Sequence, residues 1–230
     1  LRLGQQQLVL WCKNGARGSS RMEAAAGLLQ AHFWKYSGQP ALPIPGWSAI
    51  LPSKYERIGD VLMLPEGFFS ESFWDSPDLW RLLCNCFGTT RVARKARVDS
   101  GPKRESRVRL LYPRIAEGES DPKSVSGSAT GPGSAGWVSV IEDKIRFSFD
   151  ITRVMFCSGN CTERMRAGRM SVKDETIVDL YCGIGYYTLP WLVHGGAAHV
   201  IACEWNPNSL LALRENLAAA RRTHQVAGEC

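Results

Sequence analysis

The chain has 230 residues, 44% of them hydrophobic and 22% charged, with a net charge of +6. That balance belongs to an ordinary globular protein, with room for one large domain or two modest ones and a real core. The longest apolar runs reach about half a membrane span, which argues against a transmembrane helix. The opening "LRLGQQQLVLWCKNGARGSS" reads as neither signal nor anchor.

The first 45 residues have weak periodicity and end in "GQPALPIPGW", so 1–45 reads as a poorly ordered segment. A globular pattern then runs over 46–116, an α+β region. In it, "RIGDVLMLPEGFFS" predicts a strand and a turn. "SPDLWRLLCNCFG" predicts a helix, with Ser76 as N-cap, Pro77 in the first turn and Gly88 as C-cap. "GTTRVARKARV" follows as a loop and a basic strand, and "SRVRLLYP" alternates like a half-exposed strand. Between Arg91 and Arg114 nine basic residues face only Asp99 and Glu105, a local excess of +7 that leaves the rest of the chain near neutral. Such a segment suits a polyanion, nucleic acid first, or is simply a solvated basic loop.

Residues 117–136, "EGESDPKSVSGSATGPGSAG", lack large apolar groups and read as a flexible linker or insertion. Over 137–171, "GWVSVIEDKIRFSFDITRVMF" predicts a hairpin turning at Glu142-Asp143-Lys144. "SGNCTERMR" then opens a short helix, where Asn160 and Glu163 resemble a capping box. From 172 to 230 the pattern is strand (176–182), glycine loop, helix (186–194), strand (199–205) and helix (207–222), the start of a doubly wound parallel sheet.

Eight cysteines could form four disulfides, but Cys84/Cys86 and Cys157/Cys161 are too closely spaced for a framework, and Cys182 and Cys203 lie in apolar strand-like runs. There is no C-x-x-C, and the four histidines do not cluster with cysteines, so the sequence offers no metal site. Free thiols fit a reducing, cytoplasmic setting.

The most informative stretch is "VDLYCGIGYYTLPWL", residues 178–192. Gly183 and Gly185 allow a tight turn and close backbone approach, and the following helix aims its free N–H groups at whatever lies there. Nineteen residues after Gly185, Glu204 ends the second strand, where a carboxylate can accept ribose hydroxyls; Asn206 then caps a helix that has Pro207 in its first turn. A dinucleotide loop wants a third glycine where Thr188 stands. Asp179 beside the glycines suits a cationic sulfonium better than a pyrophosphate, which points to S-adenosylmethionine. A tight strand–helix turn without any ligand is the plainer alternative.

Further residues carry a resemblance. "VDLYCGIGYYTLPWLVHGGAAHVIACEWNPNSLLALRENL", together with "ILPSKYERIGDVLMLP", "GTTRVARKARV" and "GWVSVIEDKIRFSFDITRVMFCSGNCTERMR", resembles in order the wybutosine-synthesis branch of tRNA-modifying enzymes over roughly residues 47–222. That branch is related to the tRNA guanine-N1 methyltransferases. The resemblance implies a class I S-adenosylmethionine-dependent α/β fold preceded by a smaller α+β domain. It also implies transfer of the 3-amino-3-carboxypropyl arm of S-adenosylmethionine to the modified guanosine 3′ of the anticodon of tRNA(Phe), with release of methylthioadenosine; the expected protein is a monomer with neither metal nor membrane. Residue by residue, Glu204 matches the ribose-binding acid, and Asp179, Gly183 and Gly185 match the cofactor loop. Cys157 stands where the family's F-S-x-G-N segment has a serine that touches the cofactor; a thiol is larger and a weaker partner. Arg164 stands where a lysine is typical, and its fork could hold the cofactor's carboxylate, unless it is only a helix-surface charge. Asn160 and Glu163 are read as caps of its helix. The basic run, with Arg91, Arg94, Lys95 and Arg97 foremost, would grip tRNA phosphates, and one of the many aromatic residues would stack on the base.

The match fades after about Ala220, and the family's later strands do not follow. The expectation is therefore a truncated sheet of two strands, with half of the pocket and weak cofactor binding of its own. A sister methyltransferase and an inactive tRNA-binding fragment stay open beside the aminocarboxypropyltransferase.

Overall fold

The computed structural model describes residues 27, 29–31, 55–70, 74–98, 100–101, 103–113 and 131–224. The readings of most of 1–45, of 117–130, of Arg114 and of the last six residues fall outside them. The chain divides into two compact units, one of Leu1–Arg97 with Val108–Glu117, the other of Val98–Arg107 with Gly118–Cys230. The basic run is thus shared between the two.

The first unit holds a four-stranded sheet in the order β1-β2-β3-β4. The strand expected in "RIGDVLML" is in fact two, β1 (Glu56–Ile58) and β2 (Val61–Leu64), because Gly59 at φ 59° turns the chain back into an antiparallel hairpin. All four residues of β2 are buried, as befits a central strand. Helix α1 (Pro77–Phe87) has the expected bounds: Ser76 is extended, Pro77 opens the helix, and Gly88 closes it at φ 64° with a bond to the Cys84 carbonyl. The Ser76 side chain makes no cap bond, so proline and glycine set this helix's ends. α1 crosses over to β3 (Arg91–Arg94), parallel to β2, and β4 (Arg109–Tyr112) returns antiparallel to it. Leu79, Trp80 and Leu83 of α1 meet Leu62, Leu64 and Val92 of the sheet in one core. Leu29, from the segment read as a tail, is fully buried in it.

The second unit begins with a hairpin, β5 (Trp137–Glu142) and β6 (Ile145–Asp150). Asp143 and Lys144 both have positive φ, 46° and 67°, the pattern of a two-residue turn that matches strand twist. His194 Nε2 lies 2.8 Å from the Asp143 carbonyl and His224 Nε2 3.1 Å from that of Lys144, which pins the turn. At the other end Asp150 gathers the chain: it accepts from the Ser134 and Thr152 hydroxyls and the Thr152 N–H, and Gly136 packs so closely that a Cβ would fall 2.1 Å from its Oδ1.

A 3₁₀ turn (Ser158–Asn160) leads into α2 (Cys161–Gly168). The expected capping box is not formed. Asn160 makes no side-chain cap bond, and Glu163 turns instead to Arg166, three residues on. Strand β7 (Thr176–Asp179) is followed by the glycine loop, a single α turn α3 (Thr188–Pro190) and a π turn (Trp191–Gly195). Strand β8 (His199–Ala202) pairs parallel to β7, Thr176 opposite His199 and Asp179 opposite Ala202. Helix α4 (Pro207–His224) then packs on β6. The strands stop three residues short of the expected ends at 182 and 205, because the chain leaves the ladder to build the loop.

Asn216, fully buried on α4, joins these parts. Its Oδ1 accepts the Ser148 N–H at the open edge of β6, and its Nδ2 donates to the Ile184 carbonyl of the glycine loop. One side chain thus covers a strand edge and positions the loop. Among the described residues no helix is long and apolar enough to cross a membrane.

Candidate functional site

The carboxyl ends of β7 and β8 stay together past the last paired residues. Cys203 N–H donates to the Asp179 carbonyl at 2.8 Å and Cys182 N–H to that of Cys203 at 3.1 Å. The crevice beyond the carboxyl ends of parallel strands is where doubly wound sheets hold ligands. Between these bonds the chain turns sharply. Gly183 has φ 56° and Gly185 φ 95°, both in the region that a side chain resists. A Cβ on Gly185 would lie 2.9 Å from Leu213 Cδ1 and 3.1 Å from Leu189 Cδ1. This glycine therefore lets α4 approach the loop, whereas a Cβ on Gly183 would meet only the Tyr186 ring at 3.2 Å.

Both acids sit at the strand ends. Asp179 is buried, and its Oδ2 accepts the Thr188 hydroxyl at 2.7 Å. The residue in place of a third glycine thus orients the acid before the loop. Glu204 reaches across from β8: its Oε2 accepts the Gly183 N–H at 3.1 Å, and its Oε1 accepts Trp205 N–H and Asn206 N–H at 2.7 and 2.8 Å. Three of its roughly four acceptor positions are filled. One is open, and a ligand taking two would displace the Gly183 bond. Asn206 is a true N-cap, its Oδ1 accepting Asn208 N–H at 2.9 Å. Leu180, Tyr181 and Trp205 are exposed around the acids, at 61%, 89% and 65%.

Arg164 is no surface charge. It is buried, and its fork is closed on Glu142 of β5, Nε to Oε2 at 2.7 Å and Nη2 to Oε1 at 2.8 Å, while Nη1 donates to the Cys157 carbonyl at 3.0 Å. The guanidinium carbon lies 5.4 Å from the Phe156 ring centre and 5.2 Å from that of Tyr186. Burial opposes its charge, but the Glu142 carboxylate outweighs that and holds the guanidinium protonated. The donors expected to meet a cofactor carboxylate are thus engaged by protein. Their effect is to fix Phe156 and Cys157 against the glycine loop, which Tyr186 completes by donating its hydroxyl to the Met155 carbonyl at 2.7 Å. Burial pushes the Tyr186 hydroxyl upward, keeping it a neutral donor. The Cys157 side chain is exposed.

The four basic residues foremost in the sequence belong to the first unit. Arg91 forks onto Asp60, Arg94 donates to the Phe69 carbonyl, and Lys95 pairs with Glu56. Arg97, 4.0 Å from Glu66, is 91% exposed. Arg91 holds the Asp60 carboxyl below its usual range, aided by the Thr90 hydroxyl. Arg91, Arg94 and Lys95 are thus occupied in binding their own unit together.

Residues 47–118 match the family model described as the TYW2 N-terminal domain, and 139–228 that of the TRM5/TYW2 methyltransferase domain. The human tRNA wybutosine-synthesizing protein 2 homolog is 40% identical over 177 residues, covering 74% of this chain and 35% of the relative. The chain belongs to the TRM5/TYW2 family. The rat homolog is also 40% identical, over 171 residues and the same shares. The chain therefore spans about a third of the length of these curated relatives. Among solved structures, Pyrococcus horikoshii TYW2 in complex with MeSAdo matches with a TM-score of 0.57 at 25% identity, covering 86% of this chain and 61% of that one. A complex of aTrm5 and tRNALeu, 16% identical with a TM-score of 0.57, covers 79% of this chain and 47% of that one and shares the fold.

The TRM5/TYW2 methyltransferase match, 139–228, takes in the glycine loop, both acids and Arg164, but not residues 103–107, a strap between β3 and β4. This strand-to-strand segment crosses to the second unit. Asn206 Nδ2 donates to the Lys103 carbonyl at 3.2 Å, and Ser106 donates its hydroxyl to the Ile151 carbonyl and its N–H to that of Arg153. Glu142, Tyr186, Asn216 and Trp205 were also not legible as site residues. Glu142 is one acid in a hairpin, Asn216 a polar residue in a helix, and Tyr186 an aromatic near a glycine; only their partners give them a role. Trp205 did carry a signal, a large ring directly after the strand-ending acid.

Proposed function

We propose that the chain carries the glycine loop and ribose-binding acid of an S-adenosylmethionine-dependent tRNA aminocarboxypropyltransferase, acting on the modified guanosine 3′ of the anticodon of tRNA(Phe). The observation that carries the reading is Glu204, held by three backbone N–H groups at the carboxyl end of β8, with Gly183 on its other oxygen. Its open acceptor position suits a ribose hydroxyl, and Trp205 beside it offers a ring face for adenine. Asp179 and Glu204 together give the crevice the negative character that a sulfonium and an ammonium favour. S-adenosylmethionine supplies three electrophilic carbons on one sulfur, and the pocket selects the arm by presenting its carbon to the base. As a ring carbon of the base bonds to the arm, that carbon–sulfur bond breaks, methylthioadenosine leaves, and the base carbon gives up its proton.

In this reading Asp179, Gly183, Gly185 and Glu204 bind the cofactor directly. Cys157 borders it, and Arg164 acts through Phe156 and Cys157 by fixing their backbone. The first unit is the RNA-facing α+β region, and the protein works as a cytoplasmic monomer. Carboxyl-labelled and methyl-labelled S-adenosylmethionine, each supplied with tRNA(Phe) carrying the precursor base, test the reaction. Carboxyl label in the tRNA is expected; methyl label would mean the sister methyltransferase, and neither label with retained tRNA binding would mean an inactive RNA-binding chain. Calorimetric titration of this chain with S-adenosylmethionine should show affinity weaker than micromolar, because Val178 and Ile201 leave one face of the β7–β8 pair exposed.

A further inference from the structure

The basic run is split by the fold, and its two halves differ in what their charges meet. On β3 and at the residue after it, Arg91, Arg94 and Lys95 are met by Asp60, the Phe69 carbonyl and Glu56 within the first unit. Lys103 and Arg104 are exposed, and neither has an ion-pair partner among the described residues. Arg107 is exposed on the same strap, and Glu105 is the one acid among the strap's described residues.

The strap's backbone is fastened at two places on the crevice rim. Its start is held by Asn206, the residue whose N–H is fixed by Glu204. Its end is held through Ser106 to the Ile151 and Arg153 carbonyls, in the turn that leads to Met155, where Tyr186 is anchored. The rim is therefore a closed circuit: strap, β6 exit, glycine loop, β8 exit. Lys103 and Arg104 are exposed on the strap, and Tyr181, which follows the end of β7 and precedes the glycine loop, is 89% exposed.

We propose that Lys103 and Arg104 are phosphate-binding residues that hold the RNA strand flanking the target base at the mouth of this crevice, with Tyr181 as a stacking face. The inference rests on the tRNA reading above and deepens it, moving the electrostatic grip from β3 to the strap. Unpaired cations and an exposed aromatic ring on segments that meet at one strand end are the combination that engages single-stranded nucleic acid, where phosphates take the charge and a base takes the ring. A strap tied through the Lys103 carbonyl and through Ser106 presents those charges without using the Lys103 and Arg104 side chains for its own anchorage. Two phosphates neutralised there make binding steeply dependent on salt.

The test is tRNA binding by the chain as it stands, measured by filter retention from about 50 to 200 mM salt. Lys103→Ala/Arg104→Asn is the main variant; asparagine is chosen because Arg104 has φ 51°, which asparagine tolerates. The expected result is roughly tenfold weaker binding and a log–log salt slope lower by about 1.4, since each single-strand phosphate contributes about 0.7. Lys103→Glu alone should lower affinity in the same direction with the circular dichroism spectrum unchanged. Tyr181→Ala should weaken binding while leaving the salt slope unaltered. Unchanged affinity and slope in the double variant overturn this inference and leave the tRNA reading in place. Failure of the unsubstituted chain to bind tRNA at any of these salts overturns both.

Discussion

Two of the three sheets among the described residues solve the same problem differently. In the first unit β2 lies between two partners, all four of its residues are buried, and helix α1 brings three bulky side chains onto it. In the second unit β7 and β8 pair only with each other among the described residues. Ile177 and Val200 point into a core with Val172, Leu192 and Ala197, while their neighbours Val178 and Ile201 are each 54% exposed on the other face. The difference teaches where the loop's geometry comes from. A half-covered pair of strands gains little from burial on its open face, so polar side chains and tight backbone approaches hold the loop: Asn216, Thr188 on Asp179, Glu204 on Gly183, and Arg164 with Glu142.

That contrast is broken most severely at Arg164. Arg164→Leu leaves the Glu142 carboxylate, only 14% exposed, unpaired, and removal of one member of a largely buried pair costs about 3–5 kcal/mol. Urea denaturation should show a loss of that size, together with exposure of Tyr186 fluorescence. The double variant Glu142→Leu/Arg164→Leu should regain a good part of it, because no uncompensated charge remains. A double variant no more stable than the single one would mean that the fork, through the Cys157 carbonyl, does more than neutralise Glu142.

Gly185→Ala comes next. Its φ of 95° is unfavourable for alanine, and the added Cβ would meet Leu213 and Leu189 at 2.9 and 3.1 Å. Strain and overpacking together should cost about 2–3 kcal/mol. Gly183→Ala, with φ 56° and only a ring edge nearby, should cost about 1–2 kcal/mol. Equal losses at the two positions would contradict the distinction between a glycine that seats α4 and one that merely turns.

Much of this frame was legible in the sequence, and the exceptions share a cause. The α1 ends were set by Pro77 and Gly88, and the hairpin turn by Glu142-Asp143-Lys144, both local signals. The split of one predicted strand into β1 and β2 hinged on one glycine, Gly59, whose conformation depends on the pairing it permits. The capping box at Asn160 failed because Glu163 had a competing partner one helical turn away in Arg166. Site residues followed the same rule. Gly183, Gly185 and Glu204 stand out by spacing, but Glu142 acquires meaning only from Arg164, 22 residues distant, and Asn216 only from Ser148, 68 residues distant. The basic run was visible as charge, while its division depends on which carboxylates the fold brings to β3.

Two matched truncations sharpen the comparison of the sheet faces. Val200→Ala removes methyl groups from a buried position and should cost about 2 kcal/mol by denaturant unfolding. Ile201→Ala, one residue along the same strand, removes more carbon from an exposed position and should stay within about 0.5 kcal/mol. If Ile201→Ala costs as much as Val200→Ala, its face is covered in solution, and the contrast between the two sheets narrows.

The smallest effect lies in the first unit and concerns pH. Arg91, with help from Thr90, holds the folded Asp60 carboxyl below its ordinary value of 3.8. The unfolded chain therefore takes up this proton first as pH falls. The Asp60–Arg91 contribution is fully present above pH 3.8 and is lost as pH drops through the lower, folded value. Asp60 is 44% exposed, so solvent screens the pair and its share of stability is small, within the range of surface ion pairs. Asp60→Asn should lower stability slightly at neutral pH and flatten the dependence between about pH 5 and 3. Unfolding curves for the two proteins should then converge at the acid end, since protonation has already done to the native residue what the substitution does at every pH. Parallel curves would place the acid sensitivity elsewhere and return Arg91 to the pool of charges available for RNA.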